Sequence, residues 1–183
     1  MIFYATSLDD DERFELLCED LIDAMEDEDW EKASSLISLN PDFIEYGLET
    51  AYETLPDEYK YSIPTDCYTH NGDHMPFVRE CVKQAINYAT IEKRIPEEML
   101  TMPEITVYRA GSEPLEKAVY SISWTTSLTV AQWFYDRAHF RHCPCHLYKG
   151  VITPENIICF TDDRQEKEVM QYGSVTNIVE IER

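Results

Sequence analysis

The chain has 183 residues, enough for a catalytic domain of ordinary size behind a small helical unit and too few for two large independent domains. Its 44% hydrophobic and 12% aromatic content supplies a core and argues against disorder away from the ends. Fifteen Lys and Arg against 36 Asp and Glu give a net charge of -21, which disfavours direct nucleic-acid binding through phosphates.

The acid excess is uneven. Residues 1–100 hold 25 acids and 7 bases, and residues 101–183 hold 11 and 8, so the two stretches are expected to do different jobs. The six cysteines (Cys18, Cys67, Cys81, Cys143, Cys145, Cys159) show no repeated spacing, and Met1-Ile2-Phe3-Tyr4-Ala5-Thr6 lacks the basic and apolar regions of a signal peptide. Reduced thiols and a cytoplasmic location are expected, with no membrane association, since no stretch approaches the roughly 18 apolar residues of a span.

In chain order, Phe14, Leu17, Cys18, Leu21, Ile22 and Met25 recur at helical intervals, as do Trp30, Ala33, Leu36 and Ile37, which predicts two amphipathic helices between Asp9 and Leu39. Asp9-Asp10-Asp11-Glu12 places negative charge at the first N-terminus, where the helix dipole favours it. Asn40-Pro41 is a stop and a fresh start, with a third helix over 41–54. Three prolines and Asn71-Gly72 between Leu55 and Pro76 predict an ordered loop. Pro76 opens a helix with Phe77, Val78, Cys81, Val82, Ala85, Ile86 and Ala89 on one face, through Lys93.

Beyond Pro103 the pattern changes to β-branched and aromatic runs. Strands are predicted at Ile105–Arg109, Tyr120–Thr126, Leu147–Ile152, Asn156–Phe160, Glu166–Gln171 and Val175–Ile181, with one helix at Val130–Ala138. This is an α+β chain: an acidic helical region over 1–100, followed by a strand-rich core over 101–183, expected to pack with the helices as one compact unit.

Three short motifs in the strand-rich part occur in a particular order. Tyr108-Arg109 ends the first strand. Ser123-Trp124-Thr125-Thr126-Ser127 ends the second and leads into Ala131-Gln132-Trp133-Phe134, and Glu166-Lys167-Glu168-Val169 opens a late strand. Taken singly, each has an ordinary explanation: a solvated arginine, a helix N-cap, the wet face of an edge strand. On a continuous strand, Glu166 and Glu168 fall on one face. An arginine and a carboxylate also suit a dinucleotide site, where a fixed cation holds pyrophosphate and a fixed anion faces an oxocarbenium-like sugar.

The ordered set resembles the ADP-ribosyltransferase superfamily, in its Arg-Ser-Glu class with a Glu-x-Glu motif. The resemblance covers residues 104–181. It implies a split β-sandwich, NAD+ as substrate and no metal. Glu168 would be the catalytic acid residue, and Glu166 would orient or deprotonate the acceptor. Arg109 would bind NAD+, and Thr125, which stands where the family has serine, would bond within the site and position Glu168. Ser127 would help to build the nicotinamide pocket and Phe134 would pack behind that ring. Tyr108, Trp124 and Thr126 complete the expected cofactor-binding set, with Trp124 equally a core candidate. All these groups are expected to converge on one cleft, and residues 160–165 occupy the place of the family's acceptor-recognition loop.

The implied activity is mono-ADP-ribosylation of a macromolecule. A Glu at position 166 is similar to members that modify arginine, whose guanidinium pairs well with a carboxylate. Small size and acidity look like phage or bacterial effectors acting in a host cytoplasm. The expected partner is an acceptor protein, including a basic or nucleic-acid-associated one, with no direct nucleic-acid contact. An NAD+ glycohydrolase with the same site is the second reading, and a non-enzymatic acidic mimic of nucleic acid is the third. His139, His142, Cys143, Cys145 and His146 crowd together but lack the two separated ligand pairs of a structural zinc site, and His70 and His74 flank a turn.

Overall fold

The computed structural model describes residues 10–71, 75–88, 95–162 and 165–182. The chain divides into two compact units, Met1–Tyr88 and Ala89–Arg183, a division that falls ahead of the compositional change near residue 100.

The first unit is helical: α1 (Asp10–Glu26), α2 (Trp30–Ser38), α3 (Ile44–Ala51), α4 (Asp57–Asn71) and α5 (Pro76–Ala85). Helix α1 turns Leu17, Leu21 and Ala24 inward, and α2 turns in Ala33, Leu36 and Ile37. The side chain of Asp29 accepts from Lys32 N at 3.0 Å and so caps α2. The third predicted helix is split, since Pro41–Phe43 forms a single 3-10 turn before α3. Residues 89–93 of the predicted fourth helix lie outside the described residues, and α5 ends at Ala85.

The loop expected between Leu55 and Pro76 is instead helix α4, which contains Pro64. Proline removes a helical hydrogen bond, but packing outweighs that loss here. Ile63, Cys67 and Tyr68 are buried, Thr65 and Thr69 hydroxyls bond back to carbonyls of the preceding turn, and α4 packs along α5.

The second unit carries α6 (Glu97–Leu100), β1 (Ile105–Gly111), α7 (Leu115–Ala118), β2 (Ser123–Thr125), α8 (Leu128–Phe140), β3 (His146–Ile152), β4 (Ile157–Thr161), β5 (Glu168–Gln171) and β6 (Thr176–Glu180). Its strands make one six-stranded sheet of order β4-β5-β2-β1-β3-β6, with every neighbouring pair antiparallel. The α+β class and the predicted strands are therefore present, with two boundaries corrected. Strand β2 is only three residues long, and β5 begins at Glu168 rather than Glu166. The cause of the second is Lys167, whose φ of 47° breaks the extended backbone, so strand alternation does not place Glu166 on the face of Glu168.

Register sorts the two faces of the sheet. Val107, Trp124, Tyr148, Ile152 and Val169 belong to one buried cluster, and the pairs Trp124–Val169 and Phe160–Val169 stand directly opposite across the ladders. Each such side chain contributes about 1.5–3 kcal/mol by leaving water. Among the described residues, no helix is long and apolar enough to cross a membrane.

Gly150 lies opposite Val107, and a Cβ there would run into the Val175 side chain, which is itself buried. Gly150→Ala is therefore expected to destabilise the second unit by about 1–3 kcal/mol through overpacking. Thermal unfolding followed by circular dichroism checks this, and a Val175→Ala change in the same chain should return part of the loss.

Candidate active site

The site is best built from β2, whose alternation sends Ser123 and Thr125 to one face and Trp124 to the other. Thr125 stands opposite Tyr108 on β1 and opposite Glu168 on β5, and Glu168 stands opposite Thr161 on β4. Tyr108, Thr125, Glu168 and Thr161 thus form one row across four strands, with their side chains on a common face.

Glu168 is buried, with 7% of its surface exposed, and its Oε1 accepts a hydrogen bond from Ser123 Oγ at 2.5 Å. The sequence assigned that positioning role to Thr125. In the structure the Thr125 hydroxyl donates to the Glu166 carbonyl at 2.6 Å and accepts from Ser127 N at 3.0 Å. Thr125 therefore ties down the approach to Glu168, while the serine two residues earlier, on the same face, holds the carboxylate. Thr126 N adds a bond to the Lys167 carbonyl at 3.1 Å, and Lys167 N donates to Asp162 Oδ1 at 3.1 Å. The turn that delivers Glu168 is held from both sides.

Arg109 follows a different course. Alternation puts it on the Val107 and Trp124 face, where it pairs in register with buried Tyr148, so it leaves the sheet opposite Glu168. Its guanidinium is held at two corners: Nε donates to Glu113 Oε1 at 2.7 Å, and Nη1 donates to the Ser123 carbonyl at 2.8 Å. Arg109 and Glu168 therefore do not converge on one cleft as the sequence led us to expect; what they share is Ser123, one touching its carbonyl and the other its hydroxyl.

Around Glu113 lies a polar cluster that the sequence did not reveal. Glu113 Oε1 also accepts from Ser121 Oγ at 2.9 Å, and the Glu113 carbonyl accepts from Tyr148 Oη at 2.7 Å. The Ser121 carbonyl accepts from Trp124 Nε1 at 2.8 Å and from Gln171 Nε2 at 2.7 Å. Burial pushes the Glu113 carboxyl up, but the Arg109 guanidinium and the hydrogen bonds of its own backbone, Arg109 and Ser121 outweigh this and hold it below 4.5. The Cys145 thiol, pushed up by burial, feels both Glu113 and Arg109 and so belongs to the same neighbourhood. Ser123 was findable, as the same-face neighbour of Thr125. Glu113 was not, because its approach to Arg109 depends on the turn after β1.

Trp124 is a core side chain, 2% exposed on the face away from Glu168, which removes it from the wall of a site on that face. Ser127 caps α8, accepting from Val130 N at 3.4 Å, and Phe134 is half-buried on α8 with its ring edge-on to Trp133 at 4.9 Å. The histidine and cysteine group is dispersed: His139 stacks on Tyr135, and His146 bonds Glu180 at 2.8 Å. Among the described residues no cluster of three or more His, Cys, Asp or Glu could hold a metal. His70 bonds the Asp66 carbonyl, and His74 lies outside the described residues.

No family model, no curated protein and no solved structure matches this chain.

Because the Glu113 carboxyl is lowered in the folded chain, its contribution to stability is present above its unfolded value of 4.5 and is lost as pH falls through the folded value. Urea unfolding of wild type and Glu113→Gln at pH 7 and near pH 3 should show the wild type losing more stability on acidification. Ser123→Ala should cost about 1–3 kcal/mol by removing a hydrogen bond from the buried Glu168 carboxyl group, read in the same assay.

Proposed function

We propose that the second unit is a mono-ADP-ribosyltransferase with the split β-sandwich fold of that superfamily, transferring ADP-ribose from NAD+ to a macromolecular acceptor, with arginine on a protein favoured. The observation that carries this reading is the buried Glu168 carboxylate, held by Ser123 and ranked beside Thr125 and Tyr108. A fixed carboxylate among hydroxyls suits a sugar that gains positive charge as its glycosidic bond breaks. The buried carboxylate and the hydroxyls on its face suit the nicotinamide ribose, whereas Arg109, on the opposite face and paired with Glu113, is not aligned with them to hold the pyrophosphate. The antiparallel sheet, with the Glu168 strand beside the Thr125 strand, supports the fold assignment.

In the reaction, the bond between the nicotinamide nitrogen and the ribose anomeric carbon breaks, and the bonding pair leaves with neutral nicotinamide. Glu168 stabilises the oxocarbenium charge. The acceptor's lone pair then forms the new bond to the anomeric carbon, and the proton the acceptor sheds goes to Glu166. The first unit's acidic helices add a surface suited to a basic acceptor protein, and a host-directed effector in the cytoplasm accords with that surface.

Incubation with NAD+ labelled in its ADP-ribose part, in a cell lysate, tests the proposal. Label on a discrete protein band is expected, and Glu168→Ala should reduce it by about 100-fold or more. Free ADP-ribose and nicotinamide without a labelled band would make the enzyme an NAD+ glycohydrolase with the same site. No NAD+ consumption, together with biological activity that survives Glu168→Ala but fails on charge reversal across residues 9–31, would make the chain an acidic inhibitor. A raised KM for NAD+ in Arg109→Ala would put Arg109 back into pyrophosphate binding.

A further inference from the structure

Arg109, Ser123 and Glu168 form a continuous chain of short contacts, and its far end is Glu113. The Arg109–Glu113 pair is no loose surface bridge, since the two side chains are only 15% and 21% exposed and the contact is 2.7 Å. Glu113 is itself fixed from two further directions, by Ser121 Oγ on its carboxylate and by Tyr148 Oη on its carbonyl. Each link constrains the next. A guanidinium is planar, so fixing Nε on Glu113 sets where Nη1 can donate, and Nη1 donates to the Ser123 carbonyl. The residue so gripped is the one whose hydroxyl bonds Glu168 Oε1.

A second observation, independent of these bonds, indicates that the sequence makes room for the arrangement. Gly111 ends β1, and a Cβ built on it would run into the Glu113 carboxylate. A Cβ at 111 would oblige that carboxylate, the end of a flexible side chain, to move.

We propose that Glu113 is a positioning residue that acts through Arg109 and Ser123 on the orientation of the Glu168 carboxylate, with Gly111 as the space it requires. The inference rests on the ADP-ribosyltransferase reading and deepens it. Glu113 touches neither NAD+ nor acceptor, and its effect falls on the step in which Glu168 stabilises the sugar cation. Loss of a phosphate holder would raise KM for NAD+, whereas misdirection of Glu168 lowers kcat with KM nearly unchanged.

The test is steady-state kinetics of NAD+ cleavage by the full chain. Glu113→Ala should lower kcat by about 10–100-fold, the range seen when an orienting outer partner is removed, with KM for NAD+ within about threefold of wild type. Glu113→Gln keeps an acceptor oxygen for Arg109 Nε and should recover most of kcat. Gly111→Ala should reproduce the Glu113→Ala defect, and the double variant should be no worse than either single one, because both break the same contact. Ser121→Ala, a milder change at the same carboxylate, should fall between Glu113→Gln and Glu113→Ala and stands in if Glu113→Ala does not fold. A wild-type chain that neither binds nor cleaves NAD+ ends this inference together with the reading beneath it. An active wild type whose Glu113→Ala and Ser121→Ala variants keep full kcat, or lose only KM, ends this inference alone. Additive Gly111→Ala and Glu113→Ala effects would likewise overturn it.

Discussion

A carboxylate taken out of water must be hydrogen-bonded to stay ionised or must give up its charge, and Glu168 is such a group, 7% exposed at the first residue of β5. Much of the second unit's layout follows from how that requirement is met. Ser123 is one donor, within reach because the sheet order places β2 against β5, between β5 and β1. The chain between the two strands supplies α8, β3 and β4, and then returns Glu168 to the edge of β2 through a turn with left-handed residues at Gln165 and Lys167. Such backbone is costly for side chains other than glycine, and here it is clamped by Thr126, Asp162 and the Thr125 hydroxyl.

The sheet separates two kinds of work. One face is sealed by Val107, Trp124, Tyr148 and Val169, while the other ranks Tyr108, Thr125, Glu168 and Thr161. Arg109 belongs by alternation to the sealed face, an awkward place for a cation. It stays there because Glu113 neutralises it and the Ser123 carbonyl takes a second donor. The same attraction holds the Glu113 carboxyl ionised against the burial that pushes it the other way. A main-chain carbonyl on one side and a hydroxyl on the other make Ser123 the point where the two faces communicate.

In the first unit part of the acid excess is structural. Asp29 caps α2, Asp20 pairs with Lys32 at 3.2 Å, and Glu45 accepts from Phe77 N at 2.7 Å at the start of α5, where Met75 offers no capping side chain. The exposed acids along α1 leave that surface strongly negative.

What the sequence determined by itself was periodic: the amphipathic helices at Leu17–Leu21 and Ala33–Ile37, the β-branched strands, the N-cap at Ser127 and the face shared by Ser123 and Thr125, because each depends on residues a few positions apart. Helix α4 was lost to Pro64, a local breaker overruled by burial of Ile63 and Cys67 that only the packed unit supplies. Strand alternation stops short of Glu166 because of one left-handed residue, Lys167, which carries no sequence mark. Tertiary structure alone decided that Ser123 rather than Thr125 holds Glu168, and that Arg109 turns to the sealed face to meet Glu113. Those contacts join residues 14 and 45 positions apart, or depend on how the chain folds back after β1, and no local pattern encodes such distances.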